Sequence, residues 1–501
     1  MQPALLIDEL LREILSFSSE DGFGTLSTFA RCCRAWKDPA LDYLWMRLSS
    51  PAPLLQLISG VDMVDGQYVL TCAPTLHDIT CFRSYARRVK HITHYRNIRI
   101  HPDIIPYLVP NIGTTIPQNN NILPFLRTAR IPSTSDPFQQ ALSLSSLLHY
   151  VEVDLGFKPR NNTDCGYRFL EQVVHVASDL KRLGIRGSAS ESIQKLISSM
   201  QTLHTLSLHT GASLTHKTLL AVAYFPFLSE LDVHAGHLDV DTLAGSLHDH
   251  QGLIFPSLRK LRIRAVITII EFFMGIIPIN SLQSLHIEAE GPVDPLITWT
   301  PLFKLICIKA ANTLQNLTLE HHIELHDSST DNSNGGNHTA TLHENIIMNT
   351  SEAQISFAAL KDLHAIGGLR QLILNMTLPP SICDQDLETL AGWWPALEHL
   401  DLGTASTTGC MSRISNYPMT LQSLIVCAQK LPKLASLILP ANVNVASADA
   451  LAALNSVPSQ KSLTRITLGH FFAPDSIQLA QGLHRLFPSL IYVDGLYEHE
   501  E

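Results

Sequence analysis

The chain has 501 residues, 45% of them hydrophobic, enough to bury a large core in two or more domains or in one elongated repeat array. Charged residues make up only 16%, and a formal net charge of −10 argues against a general nucleic-acid binder. The nine cysteines follow no disulfide framework, and the opening "MQPALLIDELLREIL" is acidic where a secretory signal would be basic. The most apolar run, 265–277, falls short of the roughly 20 residues that span a bilayer and contains Glu271. A reducing compartment, cytoplasmic and/or nuclear, with no membrane insertion, is expected.

Residues 1–50 read as three short helices. In "LIDELLREILSF", Asp8 stands as the N-cap and Leu10, Leu11, Ile14 and Leu15 form one stripe. In "TLSTFARCCRAW", Leu26, Phe29, Ala30, Cys33 and Trp36 share helical spacing. Adjacent cysteines on a helix point about 100° apart, so Cys32 and Cys33 are poor metal or disulfide partners, and Cys33 reads as core packing. In "KDPALDYLWMRL", Asp38 and Pro39 mark a new helix start, with Leu41, Leu44, Trp45 and Leu48 as its stripe. So small a segment buries little of its own surface and is expected to leave apolar residues for a partner.

The order and spacing of Leu6, Glu9, Leu10, Ile14, Leu15, Leu26, Ala30, Cys33, Arg34, Trp36, Leu44 and Trp45 resemble an F-box. Ile7 stands where that family has proline, and Cys32 where it often has valine. The resemblance implies that this segment packs against a small Skp-type adaptor, and through it a cullin scaffold, by way of Leu6, Ile7, Glu9, Leu10, Leu11, Ile14, Leu15, Trp36, Leu44 and Trp45. Residues 51–85 read as a linker that packs on the first repeat.

From residue 86 to 495 the dominant signal is a recurring Leu-x-x-Leu-x-Leu, with Ile or Val as variants. Clear copies are "LKRLGI" from Leu180, "LHTLSL" from Leu203, "LSELDV" from Leu228, "LRKLRI" from Leu258, "LQSLHI" from Leu282 and "LQNLTL" from Leu314. They resume as "LRQLIL" from Leu369, "LEHLDL" from Leu397, "LASLIL" from Leu434 and "LTRITL" from Leu463; weaker copies start at Val89, Leu126, Leu148 and Leu490. The last two apolar positions alternate with polar ones, as a strand buried on one face requires, and the intervals carry helical spacing, as at Ile193, Leu196, Ile197 and Met200. Proline precedes the first Leu by two residues at Pro124, Pro226, Pro256, Pro395, Pro432 and Pro488, and is expected to end the preceding helix and extend the chain toward the strand.

One strand and one helix cannot bury both faces alone, so the units must stack. The pattern resembles a leucine-rich-repeat horseshoe, an α/β solenoid with parallel inner strands and outer helices. The asparagine that this family places after the last Leu recurs only sporadically, as Asn442, which predicts irregular turns. The polar stretch 326–355 reads as a disordered insertion. A further helix is expected after Ser447.

No phosphate-loop, zincin, nucleophile-elbow or dinucleotide motif occurs, so a non-catalytic protein without cofactor is expected. The histidine groups His91/His94/His101, His248/His250 and His321/His322/His326 lack the four-ligand spacing of zinc, so no metal is expected.

If the strands line the inner surface, the residues between the buried leucines face a bound partner. These are Thr205, Ser207 and His209; Glu230, Asp232 and His234; Lys260, Arg262 and Arg264; Ser284, His286 and Glu288; then Asn316, Thr318 and Glu320. His209, Asp232, His234, Lys260, Arg262, Arg264, His286, Glu288 and Glu320 are the candidate substrate contacts. Arg262 and Arg264 are expected to offer bidentate grips to a carboxylate or phosphate. Later rungs carry Ile373, Ile438 and Pro440, a more apolar surface. An F-box followed by leucine-rich repeats implies the substrate receptor of a ubiquitin ligase; the alternative is a repeat scaffold outside any ligase.

Overall fold

The computed structural model describes residues 7–18, 22–94, 98–108, 121–132, 137–157, 164–248, 253–291, 299–322, 355–377, 379–403, 418–444, 457–472 and 476–497. Leu6, the 326–355 insertion apart from Ile355, and the helix expected after Ser447 lie outside them. The chain divides into two compact units, 1–228 and 229–501. Among the described residues no helix is long and apolar enough to cross a membrane.

The first unit opens with helices α1 (Asp8–Ser18), α2 (Phe23–Cys32) and α3 (Arg34–Met46). Leu15, Leu26 and Ala40 form their shared core, with Phe29, Ala30, Trp36, Tyr43 and Leu44 packed against it. The helical stripe expected to run through Cys33 is broken there: Cys33 is extended, at φ −160°, and α3 starts at Arg34 rather than at Asp38. In one continuous helix the seven residues from Phe29 to Trp36 would separate the rings by roughly 10 Å along the axis. The break folds α3 back so that the ring centroids meet at 4.7 Å. Pro39 thus lies inside α3, and Asp38 is a surface ion-pair partner instead of a cap.

The expected linker is folded. It contains the helix Ala52–Leu55, a hairpin of β2 (Val61–Val64) and β3 (Gln67–Leu70), and the helix Leu76–Ala86. The hairpin is preceded by β1 (Arg47–Leu48), which leads straight out of α3. Thr75 and Asp78 form a capping box on the helix Leu76–Ala86, and hydrogen bonds from Thr75 and Ser59 hold the Asp78 carboxyl down to about 2.

The segment between head and repeats is also clamped by charge. Arg88 Nη2 lies 2.7 Å from Asp38 Oδ1, its Nη1 reaches Asp42 Oδ1 and donates to the Asp38 carbonyl at 3.0 Å, and Arg12 joins Asp42 to Asp8. Beside this clamp Trp45 packs on Tyr85 at 4.6 Å.

The repeats follow as parallel strands. In the first unit these are β4 (His91–Thr93), β6 (Thr128–Pro132), β7 (Tyr150–Gly156), β8 (Arg182–Gly187) and β9 (Thr205–His209), with β1 pairing beside β4. The short β5 (Arg99–Ile100) joins β3 instead.

Among the described residues the second unit has nine strands: β10 (Glu230–His234), β11 (Lys260–Ala265), β12 (Ser284–Ala289), β13 (Asn316–His321), β14 (Gln371–Met376), β15 (His399–Asp401), β16 (Ser436–Asn444), β17 (Arg465–Phe472) and β18 (Tyr492–Tyr497). They pair consecutively, each parallel to the last. Every strand from β4 onward except β5 begins two residues after the first Leu, or its variant, of a repeat copy. Leu183 and Ile185, Leu231 and Val233, Leu317 and Leu319 and their equivalents are buried, and helices such as Ile267–Ile276 and Leu421–Lys430 pack on that side.

Within each unit, one backbone carbonyl just before a repeat strand takes two N–H groups from the following repeat. Lys181 O accepts from His204 N and Thr205 N at 2.8 and 3.0 Å, Arg259 O from Gln283 N and Ser284 N, and Gln315 O from Arg370 N and Gln371 N. The six prolines do not simply end helices. Each follows a buried apolar residue, namely Leu123, Phe225, Phe255, Trp394, Leu431 or Phe487. In five of the six, all but the turn at Phe225, the first Leu donates its N–H back to that residue's carbonyl. Proline therefore sits second in a β-turn, where its fixed φ suits.

Buried amides connect neighbouring repeats. Gln194 Nε2 donates to Ala189 O and Ser213 O, while its Oε1 accepts from Thr215 N, Thr215 Oγ1 and Thr218 Oγ1. Gln460 Nε2 donates to Leu431 O and Leu434 O, and its Oε1 accepts from Ser462 N and Leu463 N. Replacing Gln460 with Ala leaves these buried groups unpaired and is expected to destabilise the second unit by about 2–4 kcal/mol, read as a lower urea midpoint.

A pH effect belongs to the first unit. His94 is buried, its Nε2 is 3.0 Å from Ser143 Oγ, and burial pushes its imidazole down to about 4. The unfolded chain takes up that proton near 6.5, so as pH falls from 6.5 towards 4 the unfolded state gains protons first and stability drops, by up to about 3 kcal/mol. Urea midpoints measured from pH 7 to pH 5 should fall less in His94→Gln than in the unaltered protein.

Candidate binding surfaces

Two surfaces offer contacts: the open face of the strands and an apolar stripe on α1. On α1, Leu11 and Leu15 are buried, Leu15 in the core of the three helices, so neither is presented to a partner as expected. Trp36 and Leu44 pack against that same core, and Trp45 is held by Tyr85. Leu10 and Phe17 of α1 are exposed, as is Ile7 just before it, with Ile14 half-buried between them and Glu9 exposed nearby. Residues 7, 10, 14 and 17 follow i, i+3, i+7 and i+10, a single helical stripe along the flank of the face that buries Leu11 and Leu15. Phe23 of α2 is 65% exposed as well. Phe17 continues the apolar spacing of the α1 sequence by one further turn, a signal the sequence reading passed over.

On the strands, outward positions alternate with the buried leucines. In the first unit, Arg130 pairs with Glu152 at 2.5 Å, and Glu152 also accepts from Tyr150 Oη at 2.6 Å. Burial, reinforced by that carboxylate, pushes the Tyr150 hydroxyl up to about 12. Across from them Gly184 leaves room for the Glu152 stem: a Cβ there would lie 3.1 Å from Glu152 Cγ. His209 stands on the open face of β9, 3.3 Å from Ser207 Oγ. None of Arg130, Tyr150 and Glu152 was among the residues expected to contact a partner.

In the second unit the candidate residues form neighbouring charged groups on adjacent strands. Asp232 registers with Arg262, and His234 with Arg264. Lys260 Nζ meets Glu230 at 2.7 Å, Arg264 meets Glu288 at 3.0 Å and Glu290 at 2.5 Å, and His286 Nε2 lies 3.0 Å from Glu320. The His286 contact has the separation of an ion pair but not the alignment of a hydrogen bond.

This arrangement corrects the expected role of Arg264. Its guanidinium is held by two carboxylates of its own sheet, and the Glu290 hydrogen bond raises its pKa further, so it is not offered to a partner's anion. Arg262 is only loosely engaged, 4.0 Å from Glu288 and nearly half exposed. Glu290 lies beyond the end of β12, yet "HIEAE" places His286, Glu288 and Glu290 on alternate positions, so the strand period already pointed to it.

No protein-family model matches this chain, and no curated protein matches it.

The two arginines should separate experimentally. Arg264→Ala is expected to cost about 1 kcal/mol of stability, the scale of a multiply paired surface ion, and Arg262→Ala less than about 0.5 kcal/mol. Chemical denaturation at low salt would measure both, and the gap should narrow at high salt.

Proposed function

We propose that this chain is a non-catalytic receptor subunit of an F-box type. In this reading the α1 stripe docks a Skp-type adaptor, the adaptor joins a cullin ubiquitin ligase, and the open strand face holds a polypeptide substrate. The observation that carries the reading is the α1 stripe itself. Ile7, Leu10 and Phe17 are exposed on a small helical head whose sequence resembles an F-box. Contiguous exposed apolar residues on a helix are the usual anchors for a helical partner. The leucine-rich-repeat resemblance and the parallel strand–helix repeats support the second half of the reading, since stacked repeats provide long binding faces.

The chemistry would be the ligase's. This chain would act by proximity, raising the effective concentration of substrate lysines near the charged ubiquitin carrier.

Reconstitution of the full chain with a purified Skp-type adaptor and cullin tests the proposal. The unaltered chain should capture both, and Ile7→Asp combined with Leu10→Asp should reduce adaptor capture at least tenfold with the melting temperature unchanged. Leu11 and Leu15 are unsuitable for this purpose, because charge there would unfold the head. Failure of the unaltered chain to bind adaptor, or full capture by the double variant, would overturn the reading. Adaptor capture without cullin recruitment would instead favour a scaffold outside any ligase.

A further inference from the structure

The open face of the second unit changes character after β13. Along β10 to β13 several of its carboxylates lie beside basic side chains of the same sheet: Glu230 beside Lys260, Glu288 and Glu290 beside Arg264, and Glu320 beside the His286 imidazole. Asp401, on β15, is flanked differently. Its register partners are Ile373 on β14 and Ile438 on β16. All three side chains are half-buried on the open face, and among the described residues no Lys or Arg lies within ion-pair distance of Asp401.

Asp401 Oδ1 accepts the Gly403 N–H at 2.8 Å, a turn made possible by the positive φ of Gly403. Burial without a cation raises the Asp401 carboxyl above its ordinary range. His399, two residues earlier on the same face, does not neutralise it at neutral pH, because burial lowers the imidazole. Arg465 is engaged elsewhere, over the Tyr492 ring at 5.1 Å.

We propose that Ile373, Asp401 and Ile438 form a seat for one lysine or arginine side chain of a bound polypeptide; this rests on the reading that the open strand face holds a polypeptide. The chemistry is complementary at each point. Adjacent strands stand about 4.8 Å apart, so the two isoleucines flank the carboxylate at roughly 10 Å from each other. Lysine and arginine carry an apolar stem ending in a cation, so the stem covers the isoleucines while the charge reaches the carboxylate. An anionic or purely apolar side chain would leave Asp401 desolvated and unpaired, which disfavours both.

The test uses the full chain on an array of random-sequence peptides. Bound peptides should be enriched in Lys and Arg, and Asp401→Asn should weaken binding to them about tenfold, as for a desolvated charge pair. Asparagine keeps Oδ1 for the Gly403 turn, so the melting temperature should hold. Ile438→Ser should also weaken binding, with no change in preference for Lys and Arg. Bound peptides without that enrichment, or unaltered binding by Asp401→Asn, would overturn the seat while leaving the polypeptide-binding face intact. Absence of any bound peptide would overturn both, and would leave adaptor capture by α1 as a separate question.

Discussion

Much of this structure depends on a backbone carbonyl that cannot be satisfied within its own repeat. Within each unit, the residue after the first Leu of a copy, such as Lys181 or Arg259, turns its C=O towards the next repeat and receives two N–H groups from it. A buried or half-buried backbone acceptor must find donors, and here it finds them only if the following strand starts at one particular residue. Register is therefore handed on from strand to strand. Buried Gln194 and Gln460 add side-chain versions of the same link where helices meet the next repeat.

Strand positions were legible in the sequence because they depend on a short local period. Leu-x-x-Leu-x-Leu places two inward side chains on one face of a strand, so even the weak copies at Val89 and Leu490 mark strand starts correctly. Features set by tertiary contact were less legible. Helical spacing through Cys33 was real, but contact between Phe29 and Trp36 required the chain to turn there. The apolar residues of α1 were all visible, yet their spacing did not tell Leu11 and Leu15, which face the core, from Leu10 and Ile14 beside them. The proline positions were noted, but not the buried Phe255 or Trp394 just before them, whose burial is what makes the turn.

Charge on the open face shows the same division. Alternation identified Lys260, Arg262, Arg264, His286, Glu288 and Glu320 as outward residues, and they are adjacent in space. What alternation does not encode is pairing across strands, which depends on intervals of 24 to 30 residues or more between copies. Once paired, several of these groups satisfy one another, and the strands that follow carry fewer charges. A surface rich in charge is thus not the surface with most electrostatic selectivity left to spend on a partner.

The Arg88 clamp bears on where this protein divides. Family resemblance ends near residue 50, and a boundary drawn there looks natural on paper. Yet Arg88 engages Asp38 and Asp42, Tyr85 covers Trp45, and β1 completes its hydrogen bonds only against β4. A fragment cut at residue 50 would leave Asp38 without its arginine, Asp42 with Arg12 alone, a bare indole and an orphaned strand. The stretch that resembles a known family and the stretch held together by these contacts are offset by about forty residues, and the shorter of the two is not a self-sufficient piece of protein.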